Sequence, residues 1–142
     1  VMEVAQKRKP HFGRIVLTPH MGEFKRIAKL TETNYSIELL LNFSDTHHVL
    51  TVLKGANTRI CDGKSVVYNT QGGPVLSRGG SGDLLSGLIG GMIAQNSFCV
   101  PTAVARGIML HGMAAQLLAR AKGQIAVQTT QLLDYLPKVL RT

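Results

Sequence analysis

The residues best suited to chemistry lie in a glycine-rich stretch that ends in an acid. Asp83 opens an apolar segment and follows four small residues, which are Gly79, Gly80, Ser81 and Gly82. Glycine lacks a Cβ and lets the backbone approach a ligand closely, and the first-turn N–H groups of a helix favour an anion. The stretch therefore predicts a phosphate-binding cradle at residues 79–82, with Asp83 as a general base beside a transferred phosphoryl group.

The stretch matches neither of two known phosphate-binding motifs: it is not a Walker loop, since no GK[ST] follows, and it is not a GxGxxG dinucleotide fingerprint. Its residues alone also leave other roles open for Asp83 and Arg78. Asp83 could simply cap the helix, because acids are favoured in a first turn. Arg78, directly before the cradle, could pair with phosphate or form a surface salt bridge.

The elements that must position these residues alternate between strands and helices. Apolar runs predict strands at residues 14–17 and 48–53, the second with the continuous apolar character of a strand covered on both faces. Residues 58–61 and 65–68 flank Asp62-Gly63 and predict a β-hairpin. Helices are expected at about 22–30 and within 36–42.

The second half of the sequence is predominantly helical. The segment from Asp83 has apolar residues at helical spacing and a second stripe of small residues, Gly87, Gly90, Gly91 and Ala94, so it is expected to be central and buried. A longer helix is predicted from Ala103 to about Ala121, with Thr102 as N-cap and Gly123 at its end. A last helix should start near Thr129 or Thr130 and end at Pro137.

Composition places the chain among soluble globular proteins of a single domain. It has 142 residues, 44% hydrophobic and 17% charged, with no apolar stretch long enough to cross a membrane. Two cysteines in no metal-ligand spacing, Cys61 and Cys99, suit a reducing cytoplasm. The order of strands and helices indicates an α/β layer structure.

The net charge of +8 suits a polyanionic partner such as a nucleotide. Nucleic acid is the less favoured partner, because only residues 7–9 (KRK) form a basic run and aromatic residues make up only 5% of the chain. A solvated charged face is the simpler interpretation of that run. The histidines and cysteines form no recognisable metal site.

Four strings in order carry a resemblance that spans nearly the whole chain, to the NAD(P)H-hydrate dehydratase family. They are LTPHMGEFKRI (Leu17 to Ile27), VLKGANT (Val52 to Thr58), GGSGDLLSGLIGGMIAQ (Gly79 to Gln95) and LHGMAA (Leu110 to Ala115). The resemblance implies a ribokinase-like three-layer α/β/α fold with a mostly parallel central sheet. It also implies a lyase that uses ADP, or ATP, to dehydrate hydrated NADH or NADPH in metabolite repair.

Residue by residue, the resemblance implies that His20 and Asp83 contact the hydrated nicotinamide substrate. Gly82 would donate its N–H to the nucleotide phosphate. The other nucleotide-binding residues it implies are Lys54, Gly55, Ala56, Asn57 and Thr58. From their residue types alone, His20 would be a loop or cap histidine and residues 54–58 a turn after a strand. Met21 stands where the family more often has proline.

Three further histidines are expected to be structural. His111, within the LHGMAA string, is interpreted as a hydrogen-bonded packing residue, and His47 and His48 precede a strand. Magnesium, if used, would enter with the nucleotide phosphates.

Two other functions remain open. A small-molecule kinase of the same superfamily would stop at the phosphate ester, and a catalytically silent basic module would only bind nucleotide. The family has an additional N-terminal region that nothing in residues 1–142 matches. The chain is therefore expected to be the C-terminal part of a single ribokinase-like domain, and the resemblance favours a homo-oligomer.

Overall fold

The computed structural model describes residues 15–30, 35–95 and 99–141. The chain divides into two compact units, Val1–Tyr68 and Asn69–Thr142. The basic run at residues 7–9 and the first residue of the predicted 14–17 strand lie outside the described residues.

A four-stranded sheet forms the centre of the first unit. Its strands are β1 (Ile15–Leu17), β2 (Val49–Leu53), β3 (Thr58–Cys61) and β4 (Val66–Asn69), in the order β1-β2-β3-β4. β1 pairs parallel with β2, whereas β2 pairs antiparallel with β3. The predicted α/β class is confirmed, but the expectation of a mostly parallel sheet is wrong for these strands. The link from β2 to β3 is too short for the crossover that a parallel pair needs.

A tight turn joins β3 to β4 at the predicted Asp62-Gly63 position. Gly63 has φ +91°, and a Cβ placed there would lie 2.8 Å from the Asp45 backbone. The Asp62 carboxylate accepts hydrogen bonds from the backbone N–H groups of Lys64 (2.9 Å) and Ser65 (2.8 Å). Those bonds lower the pKa of Asp62, because they stabilise the ionised form. The predicted hairpin is thus confirmed with its turn chemistry.

Two helices contribute the rest of the first core. Helix α1 covers Met21–Ile27 and helix α2 covers Ile37–Thr46, with Ser36 accepting a hydrogen bond from the Leu39 N–H as N-cap. Both predicted helices are therefore present, with shifted ends. The buried residues of this core are Leu17, Phe24, Leu40, Phe43, Val49, Leu53 and Cys61. All five residues of β2 are buried, as its continuous apolar character indicates.

Two long helices dominate the second unit. Helix α3 covers Ser81–Gln95 and helix α4 covers Val100–Lys122. Gly107 of α4 lies against Ile89 of α3, where an added Cβ would come within 3.2 Å of the Ile89 Cα. The close packing expected of small residues therefore occurs, but through a glycine of α4.

The small-residue stripe of α3 is exposed, contrary to the expectation that it would be buried. Gly87, Gly90, Gly91 and Ala94 are exposed, and an added Cβ at any of the three glycines would meet nothing within 4 Å. The buried residues of α3 are instead Ser81, Leu85 and Ile89. Larger apolar side chains remove more apolar area from water, so they occupy the buried face.

The ends of α4 differ in how well the sequence predicts them. Its N-cap is Cys99 and not Thr102, because Pro101 falls in the first turn, where its missing N–H costs nothing. Gly123 ends the helix with φ +79°, as predicted.

Short helical turns complete the second unit. A 3₁₀ helix spans Pro74–Leu76, a second spans Thr129–Asp134, and helix α5 covers Leu136–Val139. The predicted last helix is therefore two elements, and Pro137 lies in the first turn of the second one instead of ending the first. The buried residues of this core are Val75, Leu110, Ala114, Ala115, Leu118, Val127, Leu132, Tyr135 and Val139.

Among residues 15–30, 35–95 and 99–141, no helix combines the length and apolar character required for a membrane span.

Candidate functional site

The parallel pairing of β1 and β2 brings His20 and Lys54 together. Each residue follows the carboxyl end of its strand, and the two form an isolated parallel bridge just beyond the strands. The Lys54 N–H donates to the Pro19 carbonyl at 2.8 Å. In open α/β sheets, ligands bind at the carboxyl ends of the strands. Two residues that lie 34 positions apart in the sequence therefore share one predicted ligand-binding edge.

Glu23 links these two residues and was not among the residues predicted from the sequence. Its carboxylate accepts a hydrogen bond from the His20 backbone N–H at 2.7 Å, and it lies 3.8 Å from Lys54 Nζ. The His20 hydrogen bond is the largest cause of a lowered Glu23 pKa, and the charge of Lys54 adds to it. The available signal was the spacing of a capping box, in which an acid three residues after the N-cap returns to the cap backbone.

His20 is the N-cap of α1, as one of its two sequence interpretations expects. Its Nδ1 accepts a hydrogen bond from the Glu23 N–H at 3.2 Å, and its Nε2 lies 3.5 Å from Glu23 Oε1. The side chain is 56% exposed, so capping leaves it accessible to a ligand. Gly22 permits this ring position, since a Cβ there would lie 3.2 Å from His20 Cε1.

The KGANT segment forms an exposed turn between β2 and β3. Gly55, Ala56 and Asn57 are exposed, and Asn57 has φ +59°, a conformation that asparagine tolerates better than most residues. The Thr58 hydroxyl donates to the Gly55 carbonyl at 3.2 Å and closes the turn. Lys54 is partly buried at 27% exposure. The geometry accommodates both the turn interpretation and the predicted nucleotide contact.

The predicted cradle leads into α3. Gly80 has φ +82°, which disfavours other residues, and its carbonyl accepts a hydrogen bond from the Leu84 N–H at 3.1 Å. The Ser81 N–H donates to the Arg78 carbonyl at 3.3 Å, so it is already used within the protein. Gly82 and Asp83 lie in the first turn, where N–H groups have no carbonyl four residues back in the helix. The amides best placed for an anion are therefore those of Gly82 and Asp83.

Arg78 and Thr129 make hydrogen bonds next to the predicted cradle, and all the residues involved belong to the second unit. Arg78 donates to the carbonyls of Gln124 (2.8 Å) and Ile125 (2.6 Å), and the Thr129 hydroxyl donates to the Gly79 carbonyl at 2.9 Å. Neither sequence interpretation of Arg78, a phosphate contact or a surface salt bridge, describes this role. Arg78, directly before the predicted cradle, thus binds the segment that follows α4.

Asp83 borders a largely apolar cavity of about 260 Å³. The cavity lies within the second unit, between α3, α4 and the last helical turns, and its lining residues are Asp83, Leu84, Gly87, Leu88, His111, Leu132, Leu133 and Leu136. Asp83 itself is exposed. The predicted general base is therefore accessible to solvent and borders an apolar cavity.

His111 lies in the wall of that cavity. It is buried at 5% exposure, as a packing residue should be, but its Nε2 has no hydrogen-bond partner in the described part of the chain. The expectation of a fully hydrogen-bonded histidine is therefore wrong for this nitrogen. Burial lowers the pKa of His111 to about 4, because desolvation disfavours the imidazolium. The side chain is neutral at pH 7.

The described residues contain no group of three or more His, Cys, Asp or Glu side chains that could hold a metal ion. His20, Glu23 and Lys54 belong to the first unit, and the cradle with Asp83 belongs to the second. That all of them form a single site stays a prediction.

The fold is that of a ribokinase-like α/β protein. A ribokinase-like superfamily protein from Enterococcus faecalis V583 superposes with a TM-score of 0.82 at 26% identity, covering 97% of this chain and 48% of its own. The sequence profile described as NAD(P)H-hydrate dehydratase matches residues 1–138. The chain belongs to the NAD(P)H-hydrate dehydratase family.

Two further relatives agree with this assignment. A bifunctional NAD(P)H-hydrate repair enzyme from Moorella thermoacetica is 39% identical over 135 residues, which are 91% of this chain and 25% of that protein. The ADP/ATP-dependent NAD(P)H-hydrate dehydratase of Bacillus subtilis, co-crystallised with ATP and Mg²⁺, superposes with a TM-score of 0.81 at 29% identity. It covers 94% of this chain and 51% of its own. The chain thus spans between a quarter and about half the length of these relatives.

Proposed function

We propose that this protein takes part in the nucleotide-dependent dehydration of hydrated NADH or NADPH, with ADP or ATP as the phosphoryl donor. The observation that carries the proposal is the acid at the predicted cradle: Asp83 lies in a helix first turn, whose amides suit phosphate, and it borders a largely apolar cavity. Family membership supplies the substrate class, since relatives that match this chain are named for that reaction.

The proposed reaction begins as phosphoryl transfer. Asp83 accepts the proton of the substrate's ring hydroxyl, and that oxygen attacks the terminal phosphorus of ADP. The bond from this phosphorus to its bridging oxygen breaks and releases AMP. The Gly82 and Asp83 amides stabilise the negative charge that develops on the phosphoryl oxygens. The product of this step is a phosphate ester of the hydrated ring.

The second half of the reaction restores the reduced nicotinamide. The lone pair of the adjacent ring nitrogen expels phosphate as the carbon–oxygen bond breaks. Loss of a proton from the neighbouring carbon then forms the double bond of NADH or NADPH. His20 would contact the substrate, and Lys54 would place a positive charge near the nucleotide. Gly55, Ala56 and Asn57 are exposed and Thr58 is partly buried, and this turn would make the further nucleotide contacts.

Magnesium would reach the site bound to the nucleotide phosphates, as Mg²⁺ commonly does, and would neutralise part of their charge. The two cysteines suit a reducing cytoplasmic setting, and the proposed homo-oligomer rests on the family resemblance alone.

The test is an Asp83→Asn variant assayed for recovery of the near-ultraviolet absorbance of reduced nicotinamide. Hydrated NADH is supplied with ADP or ATP and Mg²⁺. Because a positioned general base contributes about 10²- to 10⁴-fold, turnover should fall by about that factor while nucleotide binding persists. Asp134→Asn, at an exposed acid of the same unit, serves as the matched control and should leave turnover unchanged.

Full activity in Asp83→Asn would show that Asp83 is not the general base. Absence of recovery by a folded wild-type protein that binds nucleotide would overturn the dehydratase proposal itself.

A further inference from the structure

The three contacts of Glu23 meet where the two strand ends meet. One oxygen, Oε2, accepts the His20 N–H at 2.7 Å and lies 3.8 Å from Lys54 Nζ. The other, Oε1, lies 3.5 Å from His20 Nε2. One side chain therefore touches the residue proposed to meet the substrate and the residue proposed to meet the nucleotide. No other acid among the described residues has an ion-pair contact with either of them.

The N-cap role of His20 determines which ring nitrogen carries the proton. Nδ1 accepts a hydrogen bond from the Glu23 N–H, so Nδ1 must be unprotonated. A neutral imidazole has one donor nitrogen and one acceptor nitrogen, and Nε2 is then the donor. Glu23 Oε1 lies 3.5 Å from Nε2. The ring is thus held by its cap bond at Nδ1, and the Glu23 carboxylate lies close to the protonated Nε2 without a hydrogen bond to it.

Gly22 belongs to the same arrangement. An added Cβ would lie 3.2 Å from His20 Cε1 and 3.3 Å from Nδ1, closer than an ordinary van der Waals contact. A side chain at residue 22 would require the ring to shift by a few tenths of an ångström. The glycine and the glutamate that follow the histidine therefore each contribute to the orientation of the imidazole.

We propose that Glu23 is a positioning residue that fixes His20 as an Nε2–H hydrogen-bond donor and holds Lys54 beside it. In this arrangement His20 donates to an acceptor oxygen of the substrate and does not act as a base. The inference rests on the proposed function for the identity of the substrate. Which ring nitrogen of His20 carries the proton, however, is a property of the protein without ligand.

The first test measures that state directly and needs no activity. Ring ¹⁵N chemical shifts of His20 at neutral pH should report an unprotonated Nδ1 and a protonated Nε2. In Glu23→Ala the fraction of this tautomer should fall, because the carboxylate beside Nε2 is lost even though the backbone N–H of residue 23 can still bond to Nδ1. A wild-type ring with the proton on Nδ1 would overturn the proposal, whatever the protein catalyses.

The second test separates positioning from folding. Glu23→Gln keeps an acceptor for the His20 N–H but loses the charge beside Lys54, whereas Glu23→Ala loses both. We expect KM for hydrated NADH to rise about tenfold in Glu23→Ala, the equivalent of one charge-assisted hydrogen bond, and less in Glu23→Gln. The kcat value at saturating substrate should change less than KM, since Asp83 is untouched.

Matched controls exclude a general effect of removing an acid from a helix N-terminus. Glu38 lies in the first turn of α2 and is exposed, so Glu38→Ala should leave KM unchanged. Gly22→Ala keeps Glu23 and shifts the ring only slightly, so it should raise KM less than Glu23→Ala does. If Glu23→Ala and Glu38→Ala give equal KM values in an active enzyme, Glu23 does not position His20.

The nitrogen assignment is tested by two replacements of His20. The Asn side chain places a polar atom near Nδ1, and the Gln side chain reaches nearer to Nε2. His20→Asn should keep the cap and lose substrate affinity, whereas His20→Gln should keep more affinity and lose stability. The reverse pattern would contradict the assignment.

Discussion

At the scale of single residues, burial and partners distinguish the titratable groups that the sequence presents alike. Glu23 is partly exposed and kept ionised by the His20 N–H and by Lys54. His111 is buried, and its Nε2 has no partner among the described residues. A hydrogen bond and a cationic neighbour therefore favour the charged form of Glu23, whereas burial without a partner disfavours the charged form of His111.

The neutral state of His111 predicts a pH-dependent loss of stability. Its pKa is lowered from 6.5 to about 4 in the folded state, so the unfolded chain binds the proton more readily. The free energy of unfolding is therefore highest above pH 6.5, decreases as the pH falls below that value, and levels off below the folded pKa of about 4. The total decrease in the free energy of unfolding is about 3 kcal/mol.

This loss can be measured by urea unfolding at a series of pH values, with His111→Gln as the comparison. The glutamine cannot titrate, so the free energy of unfolding of the variant should depend less steeply on pH over this range. Parallel curves for the two proteins would show that His111 is not protonated on unfolding.

What the sequence reveals at this scale depends on whether a neighbour in space is also a neighbour in sequence. Asp62, Gly63 and their turn are local and were predicted. The contact between Glu23 and Lys54 depends on the parallel register of β1 and β2, which composition and spacing do not determine. Arg78 binds carbonyls of residues 124 and 125, a partner that no local pattern indicates.

At the scale of elements, glycine has opposite effects in the two long helices. Gly91 of α3 is exposed with open space around it, whereas Gly112 of α4 lies against the Gln71 backbone, 2.7 Å from where a Cβ would be. A backbone neighbour cannot rotate away as a flexible side chain can. The two positions thus offer the same substitution with different surroundings.

Alanine at these two positions should shift stability in opposite directions. Gly91→Ala should raise the free energy of unfolding by about 0.5–1 kcal/mol, because alanine has the higher helix propensity. Gly112→Ala should lower it by about 1–3 kcal/mol through overpacking. Urea denaturation of the two variants beside the wild type measures both effects. Stabilisation by Gly112→Ala would show that α4 and the segment at residue 71 are not in close contact.

Element boundaries were predictable where one residue type determines them. Gly123 ends α4 as expected, since a positive φ suits glycine. The start of α4 was misplaced because Thr102 has the chemistry of an N-cap, yet Pro101 lies in the first turn and moves the cap to Cys99. The exposed stripe of α3 could not be distinguished from a buried one, because small residues alone do not specify which face they belong to.

At the scale of the whole molecule, the chain spans about half of the Bacillus subtilis and Enterococcus faecalis relatives. Each unit nevertheless has its own core and carries its own part of the predicted site. The order of the four motifs was sufficient to predict the family, because it depends on the chain as a whole and not on any single contact. The antiparallel pairing of β2 with β3 was missed because resemblance implies a sheet type but not the direction of each strand.

Our central proposal is that phosphoryl transfer by this protein ends in dehydration. The most direct measurement is the balance of products from hydrated NADH and ADP with Mg²⁺: reduced nicotinamide by absorbance, and AMP and inorganic phosphate by chromatography. Our account predicts that the three products form in equal amounts. A stable phosphorylated product that accumulates with AMP, without reduced nicotinamide or free phosphate, would contradict it and indicate a kinase.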